Sequence, residues 1–305
     1  TKKGTDLVGA VLVPPTTGLP GLGLTYMANA TGLKTHGVDL QVQANVIRRH
    51  FRWSLHTMFS YNRDKVTNYD SSFSAMRVML SSEKSAGIIT PIAGKPLSAI
   101  YSFRFAGLDH LTGDPLGYEG KVISSNYANI LQSGVEELKY HGPAKPVYFG
   151  SFINTLGYKR FSLLTHITYR LGYYFRKSTI NYYMLYTNGD MNKDFAARWQ
   201  QPGDEAHTNI PSMPEPGTTS MRDDFTTFSE VNVLRADNIR LQDIKLTYDF
   251  AQFKWGKLHF DNIEVYAQVT NMGIIWRANK AGLDPDYPES FPAPKIFSIG
   301  FRSSF

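Results

Sequence analysis

GVDLQVQANVI at residues 37–47, followed by FRWSLHTMFSYN at 51–62, changes side-chain character at every second position. One alternate set is apolar in each stretch, and the apolar set of the second stretch is rich in aromatic residues. Because successive side chains of a β-strand point to opposite faces, each stretch predicts a strand with one apolar and one polar face. Only Arg48, Arg49 and His50 separate the two stretches. Together they predict a tight hairpin.

Strands with two such faces suit two kinds of fold. A tilted strand of about 9 to 11 residues crosses a bilayer, and in a barrel its apolar face meets lipid while its polar face meets the lumen. The same alternation can cover the core of a soluble sandwich. The mean hydropathy is −0.28, and no apolar run approaches the roughly 18 residues of a membrane helix. If the chain crosses a membrane, it does so as strands.

The alternation predicts ten strands. They cover residues 3–12, 36–47, 51–63, 97–107, 114–119, 146–156, 160–175, 239–250, 260–271 and 294–305. Within the eighth, Ile239 and Leu241 are odd-numbered, whereas the apolar residues Ile244 and Leu246 are even-numbered. A β-bulge near Gln242, or the end of the lipid-facing stretch, would explain this change of phase.

The links between these strands alternate in length. The short links are 48–50, 108–113, 157–159 and 251–257, and the long ones are 13–35, 64–96, 120–145, 176–238 and 272–293. Outer-membrane barrels have short periplasmic turns and long extracellular loops. A sandwich has no reason to sort its loops in this way, so the pattern favours a transmembrane antiparallel barrel.

The composition argues against several classes of function. The chain has no cysteine, which excludes disulfide frameworks and thiol chemistry. Its net charge of +6 comes from 32 basic and 26 acidic residues without a basic block, so we expect no nucleic-acid partner. The histidines are scattered and no catalytic motif is legible, so we expect no metal, no cofactor and no enzymatic activity.

Several segments, in their order and spacing, carry a resemblance to a known family. They are NATGLKTHGVDLQVQANVI at 29–47, PLSAIYSFRFAGLDHLTGDPLGY at 96–118, VYFGSFINTLGYKRFSLLTHITYRLG at 147–172, RWQQPGDEAHTNIP at 198–211, ADNIRLQDIKLTYDF at 236–250, VYAQVTNMGIIW at 265–276, GLDPDYP at 282–288 and PAPKIFSIGFRSSF at 292–305. Together they resemble the C-terminal part of the SusC/RagA family of TonB-dependent outer-membrane transporters.

The resemblance implies a plugged barrel of about 22 strands, of which residues 1–305 would form the C-terminal portion. The plug and the N-terminal strands would lie outside this chain. It further implies import of oligosaccharides or peptides across the outer membrane of Bacteroidetes-type bacteria. The expected partners are a SusD-like surface lipoprotein that acts as a lid, TonB, which contacts the absent N-terminal region, and the barrel assembly machinery.

Two sets of residues become candidates for binding. The polar residues expected to face the lumen are Asp39, Gln41, Arg52, His56, His166, Arg170, Glu264 and Gln268. Most of these would solvate the lumen or hold the plug. The aromatic residues in or beside the long links are Trp199, Trp276, Tyr287 and Phe291. They are weak candidates for substrate binding, because sugars are recognised by aromatic faces together with polar groups, and packing within the loops or against the lid is the favoured alternative.

The end of the chain carries a further expected signal. Phe301 and Phe305 fall on the apolar phase of the last strand, as in the C-terminal signal by which barrels are recognised for membrane insertion. Two alternatives remain open at this stage. One is a stand-alone small outer-membrane barrel, either a porin or a hydrolase, and the other is a soluble all-β carbohydrate-binding protein.

Overall fold

The computed structural model describes residues 1–12, 25–69, 75, 78, 91–217, 220–250, 253–255, 258–260, 262–288 and 291–304. Most regular structure in these residues is strand. None of the helices in the described ranges is long and apolar enough to span a membrane.

The bounds of the described elements are as follows. The strands are β1 Lys2–Leu12, β2 Thr25–Arg48, β3 Phe51–Tyr69, β4 Ala99–Ser102, β5 Gly107–Leu108, β6 Pro115–Glu119, β7 Val122–Ser124, β8 Lys139–Pro143, β9 Tyr148–Tyr158, β10 Phe161–Leu171, β11 Tyr174–Arg176, β12 Val233–Arg235, β13 Asn238–Asp249, β14 Phe253–Trp255, β15 Leu258–Phe260, β16 Asn262–Arg277 and β17 Ile296–Ser304. The α-helices are α1 Tyr127–Leu131, α2 Tyr182–Asn188 and α3 Ser220–Thr227. Short 3-10 helices cover Val135–Glu137, Lys193–Ala197, Asp204–Ala206 and Glu230–Asn232.

The chain divides into two compact units. The first, called the sheet unit, comprises Gly37–Asn62, Pro146–Tyr173 and Ala236–Phe305. The second, called the loop unit, comprises Thr1–His36, Arg63–Lys145 and Tyr174–Arg235. The main sheet has the strand order β1-β2-β3-β9-β10-β13-β16-β17, so it contains eight of the ten predicted strands.

The sheet unit exposes its apolar face. Val38 on β2 is 60% exposed and Phe301 on β17 is 76% exposed. Antiparallel partners share a face, and Leu163 on β10 lies opposite both Leu156 on β9 and Leu246 on β13. The apolar residues therefore form a continuous band across neighbouring strands, which is the arrangement of a barrel wall that meets lipid.

The bulge predicted in β13 is confirmed. Residue His166 of β10 lies opposite Asp243, but the next residue, Ile167, lies opposite Leu241, so Gln242 is the extra residue. The register between β13 and β16 shifts at the same place. The bulge keeps apolar residues on one face along the full strand, because it reverses the odd and even positions.

The strands predicted at 97–107 and 114–119 do not join the wall, and this part of the prediction is wrong. They form β4, β5 and β6, which belong to small separate sheets in the loop unit. The physical reason is that the loop unit has an apolar core of its own. Phe103 packs in it with its ring 6.0 Å from that of Phe225. The fully buried members of this core include Ala75, Phe225 and Phe228.

The predicted alternation of short and long links remains after this correction. With β4 to β8 removed from the wall, β3 pairs directly with β9, so residues 70–147 form one long link. Short turns join β2 to β3 and β9 to β10, whereas long links join β10 to β13 and β16 to β17. Short and long links still alternate along the sheet, as in an outer-membrane barrel.

Candidate functional site

The candidate site is the polar face of the sheet unit. His56 on β3 lies opposite Ile153 on β9, Ile153 lies opposite His166 on β10, and His166 lies opposite Asp243 on β13. Opposite residues of an antiparallel pair point to the same side. This row therefore runs across four neighbouring strands on the face opposite the apolar band.

Polar contacts connect several of the predicted residues along this face. The side-chain nitrogens of Gln41 and His56 are 2.8 Å apart. His166 Nδ1 lies 3.1 Å from Asp243 Oδ2. Each pair thus gives polar side chains of this face a hydrogen-bonding partner.

Two further predicted residues lie close together on the same face. Gln268 on β16 lies opposite Lys245 on β13, and the ammonium of Lys245 is 3.6 Å from the carboxylate of Glu264. Asp39 on β2 is exposed. The sequence correctly indicated the polar phase of these strands but did not identify Lys245 as a partner.

A cluster of ion pairs holds the link after β16 against this face. Arg170 Nη1 lies 2.6 Å from Asp286 Oδ1. Arg240 pairs with Asp284 and lies 2.9 Å from Asp286 Oδ2. The side chain of Arg240 is nearly buried, whereas that of Arg170 is half exposed. The arginines of two strands thus fix the GLDPDYP segment at 282–288.

An open hollow of about 470 Å³ lies near the short-turn end of the sheet unit. Its lining includes Asn45, Arg52, Ser54, Thr155 and Ser162. Arg52 donates a hydrogen bond from Nη2 to the carbonyl oxygen of Lys159 at 3.2 Å, which fixes its guanidinium at the edge of the hollow. The described residues contain no cluster of three acidic or histidine side chains that could hold a metal ion.

Trp199 lies within the loop unit and is only 7% exposed. Its ring packs directly on Gly113, where an added Cβ would lie 2.3 Å from the indole. Its Nε1 donates to Glu205 at 3.1 Å, and Glu205 also lies 2.6 Å from His110 Nδ1. Hydrogen bonding to His110, together with the backbone and Trp199 donors, lowers the pKa of Glu205 to about 2. This aromatic residue therefore fixes the 109–114 turn rather than presenting a free face.

The other three predicted aromatic residues are placed differently. Trp276 lies opposite Ile239 in the sheet, on the apolar face, and is 47% exposed. Tyr287 lies in the segment held by the ion-pair cluster, and its backbone N–H donates to the carbonyl of Asp284 at 3.1 Å. Phe291, in the same link, is 96% exposed. Only Tyr287 and Phe291 lie in a long link with surface left for a ligand.

Comparison with known proteins finds solved structures with a similar fold. No family model and no curated protein matches the chain. A structure of the RagAB peptide transporter matches at 20% identity with a TM-score of 0.68, covering 99% of this chain and 32% of that chain. The RagAB peptide importer matches with the same coverage in its open-open state, at 20% and 0.68, and in its closed-closed state, at 21% and 0.69. The chain has a SusC/RagA-like fold.

At this identity the likeness concerns the fold alone. The chain spans about a third of the length of the RagAB chains that it matches. The expected outer-membrane location agrees with a SusC/RagA-like fold and with the exposed apolar band. The predicted barrel architecture is thus confirmed for the part of the wall that the eight strands of the main sheet form.

The last strand of this SusC/RagA-like wall also follows the expected phase. Phe301 lies opposite Val265 on the apolar face. Phe305 lies outside the described residues. The paired residues that sequence reasoning missed at this site include Arg240, Asp243 and Asp284. The change of phase of β13 at the bulge is the signal that places Arg240, before Gln242, and Asp243, after it, on the same polar face.

Proposed function

We propose that this chain forms the C-terminal portion of the barrel wall of a TonB-dependent importer in the bacterial outer membrane. The plug domain and the remaining strands would belong to the rest of the polypeptide. A single observation carries the proposal: one sheet has a continuous exposed apolar face and an opposite polar face with paired charges. Such a sheet separates lipid from a water-filled lumen.

The proposed cargo is a large nutrient, either an oligosaccharide or a peptide. A peptide is the first class to test, because the RagAB structures with the same fold are described as a peptide transporter. Tyr287 and Phe291 are the proposed substrate contacts, since both lie in the link held at the polar face. Trp199 and Trp276 are weaker candidates, because one is buried and the other shares the apolar face.

The proposed partners follow from the same fold. A SusD-like surface lipoprotein would close the barrel as a lid, and TonB would supply energy through a region outside this chain. The barrel assembly machinery would recognise the end of the chain, where Phe301 lies in the last strand and Phe305 follows in the sequence. The proposed role is transport and not catalysis.

Uptake measurements test this function. Cells that lack the protein should lose accumulation of labelled peptides or oligosaccharides, and a protonophore should abolish uptake in cells that contain it. Uptake that persists with the protonophore would instead indicate a passive porin. Equal uptake of both cargo classes in cells with and without the protein would contradict the import proposal.

The aromatic contacts are tested separately. Tyr287→Ala with Phe291→Ala should weaken binding of the transported cargo by about tenfold, as expected for the loss of one or two aromatic contacts. Leu111→Ala is a matched control, because Leu111 is also a highly exposed apolar residue, in the 109–114 turn. Unchanged cargo affinity in the double variant would remove these two residues from the site.

A further inference from the structure

The hollow near the short-turn end of the sheet unit has a cationic lining. Residues of four neighbouring strands or their turns form it, and they include Arg48 and Arg52. The other polar side chains of the lining are uncharged, and they belong to Asn45, Ser54, Thr155 and Ser162. Within the described part of the chain, no carboxylate lines this hollow. Two guanidinium groups surrounded by hydroxyl donors suit an anion.

Two contacts hold Arg52 in place at the hollow. Its Nη2 donates to the carbonyl oxygen of Lys159 at 3.2 Å. Its guanidinium also lies over Gly157, the opposite residue on β9, where an added Cβ would be 3.0 Å from Nε and 3.3 Å from Nη2. The hydrogen bond uses only one of the N–H donors of the guanidinium, so the others can bind a ligand. Neither Arg48 nor Arg52 forms an ion pair with any described residue.

The described carboxylates of the polar face lie too far from Arg52 to neutralise it. Asp249 is on β13, three strands from β3, which corresponds to about 14 Å at about 4.8 Å per strand. Glu264 lies one strand further and contacts Lys245. Asp39 is about 20 Å along β2 from the nearest residue of the hollow. Because an ion pair requires a separation of about 4 Å, the charge of the hollow is left for a partner outside this wall.

That partner should come from the part of the polypeptide outside this chain. The chain spans about a third of the RagAB chain that it matches in fold, and the proposed function assigns the remainder to a plug and further strands. In the proposed barrel the polar face lines the lumen, and the short turns lie on the periplasmic side. Cargo enters from the side of the long links. A plug inside the lumen therefore meets this hollow before any cargo does.

We propose that the hollow binds a carboxylate of an acidic segment in the plug domain, with Arg48 and Arg52 as the binding groups. One guanidinium can donate two parallel hydrogen bonds to a carboxylate, and such charge-assisted bonds are roughly twice as strong as neutral ones. The hydroxyls of Ser54, Thr155 and Ser162 supply donors for its remaining lone pairs. The contact would hold the plug against the periplasmic end of the wall. This inference rests on the proposed plugged barrel.

Cross-linking of the full-length protein in outer membranes identifies the occupant. Arg52→Lys keeps the charge and introduces an amine at the hollow, and Arg48→Lys does the same in a second variant. A water-soluble carbodiimide condenses an amine with a carboxylate in contact with it and takes up the water that is released. We expect mass spectrometry to find an amide to an Asp or Glu that lies N-terminal to this chain. Its yield should fall about tenfold at about 1 M salt, because screening weakens the ion pair.

Lys159 is the matched internal control for this reaction. Its ammonium lies 5.4 Å from the ring centroid of Tyr158, whose side chain follows the apolar phase of β9 opposite Phe51. It should form no amide with the N-terminal part of the polypeptide. A cross-link only within residues 1–305, a cross-link only to a peptide cargo, or no cross-link in either variant would each overturn the proposal.

Opening of the plug measures what the contact contributes. In planar bilayers, a plug that leaves the lumen gives a step of ion conductance, and urea promotes such steps. Arg48→Gln with Arg52→Gln should make them about tenfold more frequent, because each exposed ion pair contributes up to about fivefold. Lys159→Gln removes one charge on the apolar side and should not change the frequency.

The contrary result is an unchanged frequency in a double variant that keeps the heat-dependent gel migration of a folded barrel. If the double variant does not fold, the cross-link decides. Failure of the proposed function looks different: a full-length polypeptide without a domain that closes the lumen contradicts the plugged barrel itself. A plug that is present but forms no cross-link to the hollow contradicts only the role of Arg48 and Arg52.

Discussion

The sheet unit and the loop unit place the same residue types in opposite environments. In the sheet unit, large apolar side chains such as Ile299 and Phe301 are exposed, while His166 and Asp243 meet on the other face. In the loop unit, aromatic side chains such as Phe225 are fully buried in a core. The loop unit is organised like a water-soluble domain, whereas the sheet unit requires an apolar solvent on one side.

The largest expected effect is in the loop unit, through Phe225→Ala. The side chain is 0% exposed, and its ring lies 5.6 Å from that of Tyr127. Removing it should cost about 3–5 kcal/mol, because a cavity replaces a packed aromatic ring. Protease resistance of the loop unit in increasing denaturant measures this loss.

The control is on the same helix. Met221→Ala removes a half-exposed side chain of α3, so it should change the stability by less than about 0.5 kcal/mol. A similar loss in both variants would mean that the loop unit has no specific core around Phe225.

The next largest loss of stability is expected for Val269→Arg in the sheet unit. Val269 lies opposite Ile244 and Phe297 on the apolar face. An arginine in the middle of a lipid-facing surface costs about 2–4 kcal/mol. Guanidinium unfolding of the protein in phosphatidylcholine vesicles measures this cost.

Thr270→Arg is the matched control on the next residue. Thr270 lies opposite Asp243 on the polar face, so an arginine there remains in water and gains an acidic neighbour. We expect little change. If the two variants lose equal stability, the two faces are not in different solvents, and the barrel interpretation fails.

The sequence predicts the sheet unit better than the loop unit, and the reason is periodicity. Alternation is local, so it locates eight wall strands and even the bulge at Gln242. The same alternation mispredicted 97–107 and 114–119, because Tyr101 and Phe103 are apolar in order to fill a core and not to face lipid. A pattern along the chain does not tell which solvent a strand meets.

The candidate site shows the same limit. The polar phase of the strands correctly places His166 beside other polar residues, since the pleat fixes the side of each residue. The pairing of Arg240 with Asp284 depends on how the link after β16 folds back, which no local pattern encodes. For Trp199, burial on Gly113 likewise arises from tertiary contacts between distant segments.

A smaller effect is expected within the ion-pair cluster. Asp284→Asn should cost about 2 kcal/mol, because it leaves the nearly buried Arg240 with one carboxylate fewer. Asp286→Asn also removes a carboxylate that Arg240 contacts, although Asp286 and its other partner Arg170 are more exposed, so this variant should cost less than about 1 kcal/mol. Protease cleavage of the 278–288 link, relative to the rest of the chain, distinguishes the two. The reverse order of the losses would mean that burial does not decide the strength of this cluster.

The smallest effect returns to the loop unit, where Asp223 accepts a hydrogen bond from the backbone N–H of Tyr183 at 2.7 Å. Burial raises the pKa of Asp223 to about 6, against the opposing effects of this hydrogen bond and of Arg222. Because the carboxyl binds its proton more tightly in the folded than in the unfolded state, folding is favoured as the pH falls. The stability of the loop unit should therefore increase as the pH falls from 7 through about 6 to 5, by on the order of 1 kcal/mol.

Asp223→Asn isolates this carboxyl, because the amide keeps an oxygen to accept from Tyr183 but cannot ionise. Melting of the loop unit at pH 7, 6 and 5 should then be nearly independent of pH. Asp224→Asn, at the neighbouring position of α3, should retain the dependence of the wild type. If the Asp223→Asn variant still gains stability on acidification, another group titrates, and the pH response of the loop unit does not come from Asp223.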